Sequence, residues 1–260
     1  MLKRVSGILM VVLILLAVAV SGCTSREKIT ATSQLNGKTF AVPTGTVADK
    51  LVLSKFPNAH FQYYNTVLDC CMAVQSGKAD AAAYDEPILK NIAAKNPGLV
   101  VLPDVITVDN YGFAVNLNNQ ELKTAIDDTI KELKADGTYN QMMTRWFPKT
   151  GSPAAMPDIK LDGTKGTLRF GTAAVTEAFS FVDGSQKVVG FDIELAGYVA
   201  KKMGMKLEIV NMDFGAMIPA LTAGKVDMIG ACITITDERA KSVLFSESYY
   251  KGGIAALVKE

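Results

Sequence analysis

Arg239 is the residue whose surroundings carry the most readable chemistry. It lies in residues 233–250, ITITDERAKSVLFSESYY, with Thr234 and Thr236 just before it. Thr236 can cap a short helix whose first turn holds Asp237, Glu238 and Arg239. A guanidinium fork takes two carboxylate oxygens at once, and free N–H groups at a helix start add to that pull. A surface ion pair with Asp237 or Glu238 accounts for the same residues equally well. Other chemistries find little support. His60 is the one histidine, and no His-x-x-His, Cys-x-x-Cys or Gly-x-Ser-x-Gly occurs. Zinc sites and a Ser-His-Asp triad are therefore not expected, and neither is a cofactor. Adjacent Cys70 and Cys71 can pair only in a strained ring, and with Cys232 they read as small reduced apolar fillers.

Charge and composition narrow the class. Lys plus Arg is 27 and Asp plus Glu is 26 in 260 residues, a balance that argues against a nucleic-acid partner. With 49% hydrophobic and 20% charged residues, disorder is not expected either. Short apolar runs alternate with helical spacing from residue 37 on. Strands are expected at 39–42, 61–64, 79–84, 99–102 and 111–115, and helices at 47–56, 67–75, 87–95, 121–135 and 139–147. This succession implies an α/β fold with mostly parallel sheets flanked by helices. Residues 148–166, with Pro148, Pro153 and Pro157, break the pattern and mark a boundary. It restarts with strands at 168–171, 179–182, 206–210, 226–230 and 254–258, and helices at 192–203 and 216–223. One echo joins the two parts: residues 73–80 (AVQSGKAD) match residues 220–227 (ALTAGKVD). Each is a helix end, a Gly-Lys turn and an acid that opens a strand, which suggests two lobes on one plan.

Several motifs together resemble a known family. The 233–250 stretch, Asn211-Met212-Asp213-Phe214, Val189-Gly190-Phe191-Asp192 and residues 246–250 look like the first half of an extracellular amino-acid-binding protein of the polar-amino-acid ABC-importer type. Gly37-Lys38-Thr39, Thr44-Gly45-Thr46, Tyr84-Asp85-Glu86-Pro87, Tyr111-Gly112-Phe113-Ala114, Asp136-Gly137-Thr138-Tyr139 and Trp146-Phe147 look like its second half. The resemblance covers nearly all of residues 36–260. It implies a two-lobed, periplasmic-binding-protein-like fold with a hinge, and a small-molecule amino acid as ligand. By the same resemblance Arg239 pairs with the ligand α-carboxylate, with Thr234 beside it. Asp85 holds the α-ammonium, Phe214 packs on the ligand side chain, and Thr46 is a second carboxylate donor. Cys232, where a glycine is common, and Phe179 complete the expected ligand set. Asp85 also reads as a helix cap, because Pro87 follows at a first-turn position. Glu177 reads as a solvated loop acid, or as negative charge at the pocket mouth that favours a basic side chain.

The halves stand in swapped order relative to the family. A circular permutant and a fragment of a tandem receptor both fit that order. The expected organisation is residues 36–105 as lobe 2, 106–147 as the hinge return and C-terminal helices of lobe 1, 148–163 as a linker, and 164–260 as the N-terminal part of lobe 1 with a hinge strand. Ahead of these, Lys3, Arg4 and the apolar run 8–20 read as an export signal, too short to span a membrane. Val20-Ser21-Gly22-Cys23 resembles a lipobox, which implies cleavage after residue 22 and lipidation of Cys23, with residues 23–35 as a tether. The implied protein is a monomeric, lipid-anchored receptor outside the bacterial cell membrane. It would deliver its ligand to a membrane ABC permease. A prephenate- or arogenate-dehydratase-like enzyme and a sensory ectodomain are the alternatives.

Overall fold

The computed structural model describes residues 28–148 and 153–260. The expected export signal and Cys23 lie outside them. The first stretch alternates strand and helix: β1 (Thr39–Pro43), α1 (Ala48–Leu53), β2 (His60–Tyr64), α2 (Val67–Gln75), β3 (Ala81–Asp85), α3 (Glu86–Lys95) and β4 (Leu99–Val101). Then come β5 (Asp109–Tyr111), β6 (Ala114–Asn116), α4 (Gln120–Ala135) and α5 (Thr138–Trp146). The restart runs β7 (Thr167–Thr172), β8 (Val175–Thr176), β9 (Ser180–Val182), β10 (Val188–Val189), α6 (Phe191–Met203) and β11 (Lys206–Asn211). It ends with α7 (Met217–Thr222), β12 (Met228–Ile229), β13 (Val243–Phe245), β14 (Tyr250–Gly252) and β15 (Ile254–Lys259).

Two five-stranded sheets share one plan. Their orders are β2-β1-β3-β15-β4 and β11-β7-β12-β6-β13. In each, the fourth strand is antiparallel to its neighbours and comes from the other part of the chain. β15 is therefore an interior strand of the sheet built by residues 39–101. Its run Ile254 to Val258 is apolar and buried throughout, as a strand covered on both faces must be. The run at the end of 164–260, expected as a hinge strand, thus lies inside the sheet of residues 39–101. Three alanines, 81–83, make up most of β3 beside it and are fully buried, so helices pack closely on both sides.

The chain crosses between the sheets at β5 and at β14. These two strands pair antiparallel, with Tyr111 opposite Tyr250, and their rings stack at 5.7 Å. Gly252 and Gly253 are required here. A Cβ at Gly252 would lie 2.3 Å from the Tyr111 hydroxyl, and one at Gly253 would lie 2.1 Å from the Thr107 carbonyl oxygen. The expected single strand 111–115 is thus split at Gly112-Phe113, where the chain leaves the crossing and enters the second sheet. We call the two bodies the Asp85 lobe and the Arg239 lobe.

Helix ends follow local chemistry. Thr66 Oγ1 caps α2 by accepting the Asp69 N–H at 3.1 Å, and Asn119 Oδ1 caps α4 by accepting that of Leu122 at 3.2 Å. Leu122, Ile126, Ile130 and Leu133 line the buried face of α4. Two segments expected as tether and linker are in part docked. Ile29 and Leu35 are buried in the core under β1, because a polar run with two apolar side chains still covers one face of the sheet. Ile159 seats on α6 at Gly197, where a Cβ would come within 2.7 Å of its Cδ1.

Candidate ligand-binding site

The site lies where the two lobes meet, at the ends of equivalent strands. β3 ends in Asp85, five positions after the echo acid Asp80. Cys232 stands five positions after the echo acid Asp227, just beyond β12. Asp85 is buried. Tyr111 donates its hydroxyl to Asp85 Oδ1 in a short hydrogen bond, and the Cys232 thiol lies 3.7 Å from Oδ2. Asp85 occupies the N-cap position of α3, yet its side chain makes no capping bond. The carboxylate is turned to the other lobe instead. Burial pushes the Asp85 carboxyl up to about 7, against the pull of the Tyr111 and Cys232 donors. Burial and the nearby carboxylates of Asp85 and Asp192 push the Cys232 thiol well up, so it is held protonated.

On the facing wall, residues 233–235 add to the crossing strand. Gly112 N–H donates to Ile233 O at 3.1 Å and Ile235 N–H to Asn110 O at 2.9 Å. This places Thr234, buried, at the cavity wall. Thr236 Oγ1 accepts the Arg239 N–H at 3.2 Å and so starts a single 3-10 turn over Arg239–Lys241. The Arg239 side chain folds inward. One nitrogen donates to Thr234 O at 3.0 Å, and the guanidinium sits 5.6 Å from the Phe214 ring centre. Desolvation lowers its pKa, but a guanidinium stays charged across the working range. Of the two acids that could pair with it at the surface, Asp237 and Glu238, the second instead pairs with Lys50 of the opposite lobe.

A narrow inner cavity brings these groups together. Its lining includes Thr46, Asp85, Phe214, Cys232, Thr234 and Arg239, six of the seven expected residues. Thr46 Oγ1 is engaged with its own turn, donating to Pro43 O at 2.9 Å. Phe179 is the seventh and lies elsewhere. It is fully buried behind Tyr111, edge-on to that ring at 5.9 Å and packed on Phe147, Phe191 and Tyr250. A phenylalanine beside the crossing strands is drawn into their aromatic cluster rather than to the cavity. A wider cleft shares Thr46, Tyr84 and Phe214 with the cavity and adds Asn65, Asn211 and Asp213. Tyr111 and Tyr84 were not expected in the site. Each stands in a quoted motif, next to Gly112 and Asp85 respectively, without any pattern that marks a role.

The lobes touch along one seam. Gly45 (φ +79°) meets Gly215, and a Cβ on Gly45 would lie 2.8 Å from Gly215 Cα. At the other end Lys95 pairs with Glu177 at 2.6 Å, and Asn91 Nδ2 donates to Glu177 O at 3.1 Å. Glu177 is thus a contact between lobes rather than a free loop acid. Among the described residues no group of His, Cys, Asp or Glu is placed to hold a metal ion, and no helix is long and apolar enough to cross a membrane.

Two α/β lobes, joined by paired crossing strands and carrying opposite charges toward a shared cavity, define a two-lobed ligand-binding protein. The chain belongs to the bacterial extracellular solute-binding proteins, family 3, which it matches over residues 25–149 and 168–260. That is a family of extracytoplasmic binding proteins, not of enzymes. Among similar proteins, the "Probable histidine-binding protein" of Campylobacter jejuni is 44% identical over 84 residues, 32% of each chain. The "Arginine-binding extracellular protein ArtP" of Bacillus subtilis is 43% identical over 86 residues, 33% of each chain. The "Putative ABC transporter arginine-binding protein 2" of Escherichia coli is 29% identical over 127 residues, 47% of this chain and 52% of that one. Each match spans about a third to a half of the relative's length. Of solved structures, the arginine-bound form of domain 1 from TmArgBP is 39% identical, covering 37% of this chain and 82% of that one at a TM-score of 0.33.

Proposed function

We propose that this chain is a lipid-anchored receptor that captures a free amino acid between its lobes and delivers it to an ABC importer in the cell membrane. Arg239 and Thr234 take the α-carboxylate, Asp85 takes the α-ammonium, and Phe214 packs on the side chain. The observation that carries this reading is the convergence of Asp85 and Arg239, from different lobes, on one narrow cavity. A zwitterion satisfies both charges, and either charge alone is costly to bury. The cavity is walled by both lobes, so the ligand enters as they part about β5 and β14. The arginine and histidine in the relatives' names support an amino acid as ligand. Cys23 supplies the lipid, and the receptor works as a monomer.

The order of the halves belongs to the same reading. We take the chain as a circular permutant that assembles one binding module by itself. Support comes from contacts that span the linker. Arg145 on α5 grips buried Glu194 on α6 at 2.7 and 2.9 Å, and Trp146 Nε1 donates to the same carboxylate at 2.6 Å.

A thermal-shift screen of the receptor against the twenty proteinogenic L-amino acids tests the function. A saturable rise in Tm with at least one of them is expected. No shift with any would reject the reading.

A further inference from the structure

Cys232 adopts a backbone conformation that L-residues avoid. Its φ is +46°, one of two such non-glycine positions among the described residues. A left-handed turn costs an ordinary residue roughly tenfold in population. This turn opens the segment that carries Thr234 and Arg239. Ile233 and Ile235 are held by the crossing strand, but Cys232 is held from behind. Its N–H donates at 3.0 Å to Oδ2 of Asp192, a fully buried carboxyl in the first turn of α6. Asp192 is itself fixed, its own N–H donating to Phe179 O at 2.9 Å. The buried Tyr249 hydroxyl faces the same carboxyl, so Asp192 is set between that hydroxyl and the Cys232 N–H. A fully buried carboxyl spent on the backbone N–H of a left-handed turn is an expensive arrangement if its task is stability alone.

We propose that Asp192 is a positioning residue: it holds Cys232 in the left-handed turn and thereby aims Thr234 and Arg239 at the ligand. This rests on the reading of Arg239 and Thr234 as the carboxylate seat. Glu194, two positions along the same helix, is equally buried but grips Arg145 and Trp146, away from the turn. It serves as the internal control.

Glycine adopts the left-handed turn without a tether, so it should make Asp192 dispensable. Five variants decide it: Asp192→Leu, Asp192→Asn, Cys232→Gly, Asp192→Leu with Cys232→Gly, and Glu194→Gln. Calorimetric titration with the twenty proteinogenic L-amino acids reads Kd. Amide exchange of residues 230–239 in ligand-free protein reads the turn directly. Asp192→Leu should weaken binding about tenfold and speed exchange across the segment. Asp192→Asn keeps an acceptor oxygen and should stay within about threefold. With glycine at 232 the tether is dispensable, so Asp192→Leu with Cys232→Gly should bind and exchange like Cys232→Gly alone. Glu194→Gln should lower Tm and leave both Kd and segment exchange unchanged. The proposal is overturned if Asp192→Leu changes neither readout, if it costs as much with glycine at 232 as with cysteine, or if Glu194→Gln moves Kd as far. Absence of binding by the parent protein would sink the proposed function instead, and the exchange readout would still decide the tether.

Discussion

In the Asp85 lobe, α2 runs into Gly77 (φ +75°), and Asp80 then accepts the N–H of Thr39 at 2.9 Å. In the Arg239 lobe, α7 runs into Gly224 (φ +68°), and Asp227 accepts the N–H of Arg169 at 2.8 Å. Each acid also donates its own N–H back, to Thr39 O at 2.8 Å and to Arg169 O at 2.9 Å. The same turn thus ties the third strand to the first in both lobes, with matching register: Phe40 opposite Ala81, and Phe170 opposite Met228. At the site the lobes diverge just after the shared strand. One ends in a carboxyl, the other in a thiol on a left-handed turn, followed by the loop of Thr234 and Arg239. The comparison teaches that the strands set where the site is, and the few residues beyond them set what it recognises.

Breaking the two ends should therefore cost more than breaking the seam. Arg239→Ala is expected to have the largest effect. Truncating one partner of a buried, hydrogen-bonded charge pair costs about 2–5 kcal/mol, at least about thirtyfold in Kd. Arg239→Lys keeps the charge without the fork and should fall between. Asp85→Asn should cost about 1.5–3 kcal/mol, since it leaves the ammonium a neutral acceptor. Calorimetry reads all three.

Proton linkage sharpens the difference between the lobes. The free Asp85 carboxyl titrates near 7, above its ordinary value of 3.8, and an ammonium beside it favours the carboxylate. Ligand binding then expels a proton below pH 7. Affinity should be full above that pH and fall about tenfold per unit below it. The ligand-free protein should move the opposite way. A carboxyl raised on folding contributes stability at low pH that is lost as pH rises through about 7, and Asp192, also pushed up to about 7 by burial, adds to it. Tm of the free protein should thus rise from pH 8 to pH 5.5 while affinity drops. Asp85→Asn should flatten the affinity profile.

The seam comes next. Gly45→Ala adds a Cβ against Gly215 at a left-handed position, so closure should weaken by about 1–2 kcal/mol. Gly215→Ala places its Cβ 3.7 Å from Gly45 Cα, an ordinary contact, and should be near neutral. Small-angle scattering in the presence of ligand distinguishes a wedged-open protein from a closed one. Lys95→Met has the smallest expected effect, under about threefold in Kd, because its partnership with Glu177 is solvent-exposed.

Much of this was legible in the residues. The buried face of α4, the Gly-Lys-acid echo and the break near 148 follow from spacing and turn chemistry. So does the threonine cap ahead of Arg239. What was not legible depends on partners far along the chain. The run 254–258 reads as a strand, but nothing local says that it enters the sheet of residues 39–101. Asp85 before Pro87 reads as a cap, and only the approach of Tyr111 and Cys232 turns its carboxyl across the cleft. Phe179 stands beside a ligand-facing loop in sequence, yet the aromatic cluster at the crossing strands holds it in the core.

The central claim is that one zwitterion bridges Asp85 and Arg239. Calorimetric titration of the best-binding L-amino acid, its decarboxylated amine and its deaminated acid tests it directly. The account predicts that each analogue binds at least about tenfold more weakly, since each forfeits hydrogen bonds to a buried charge worth about 1.5–3 kcal/mol. An analogue that binds as tightly as the intact amino acid would contradict it.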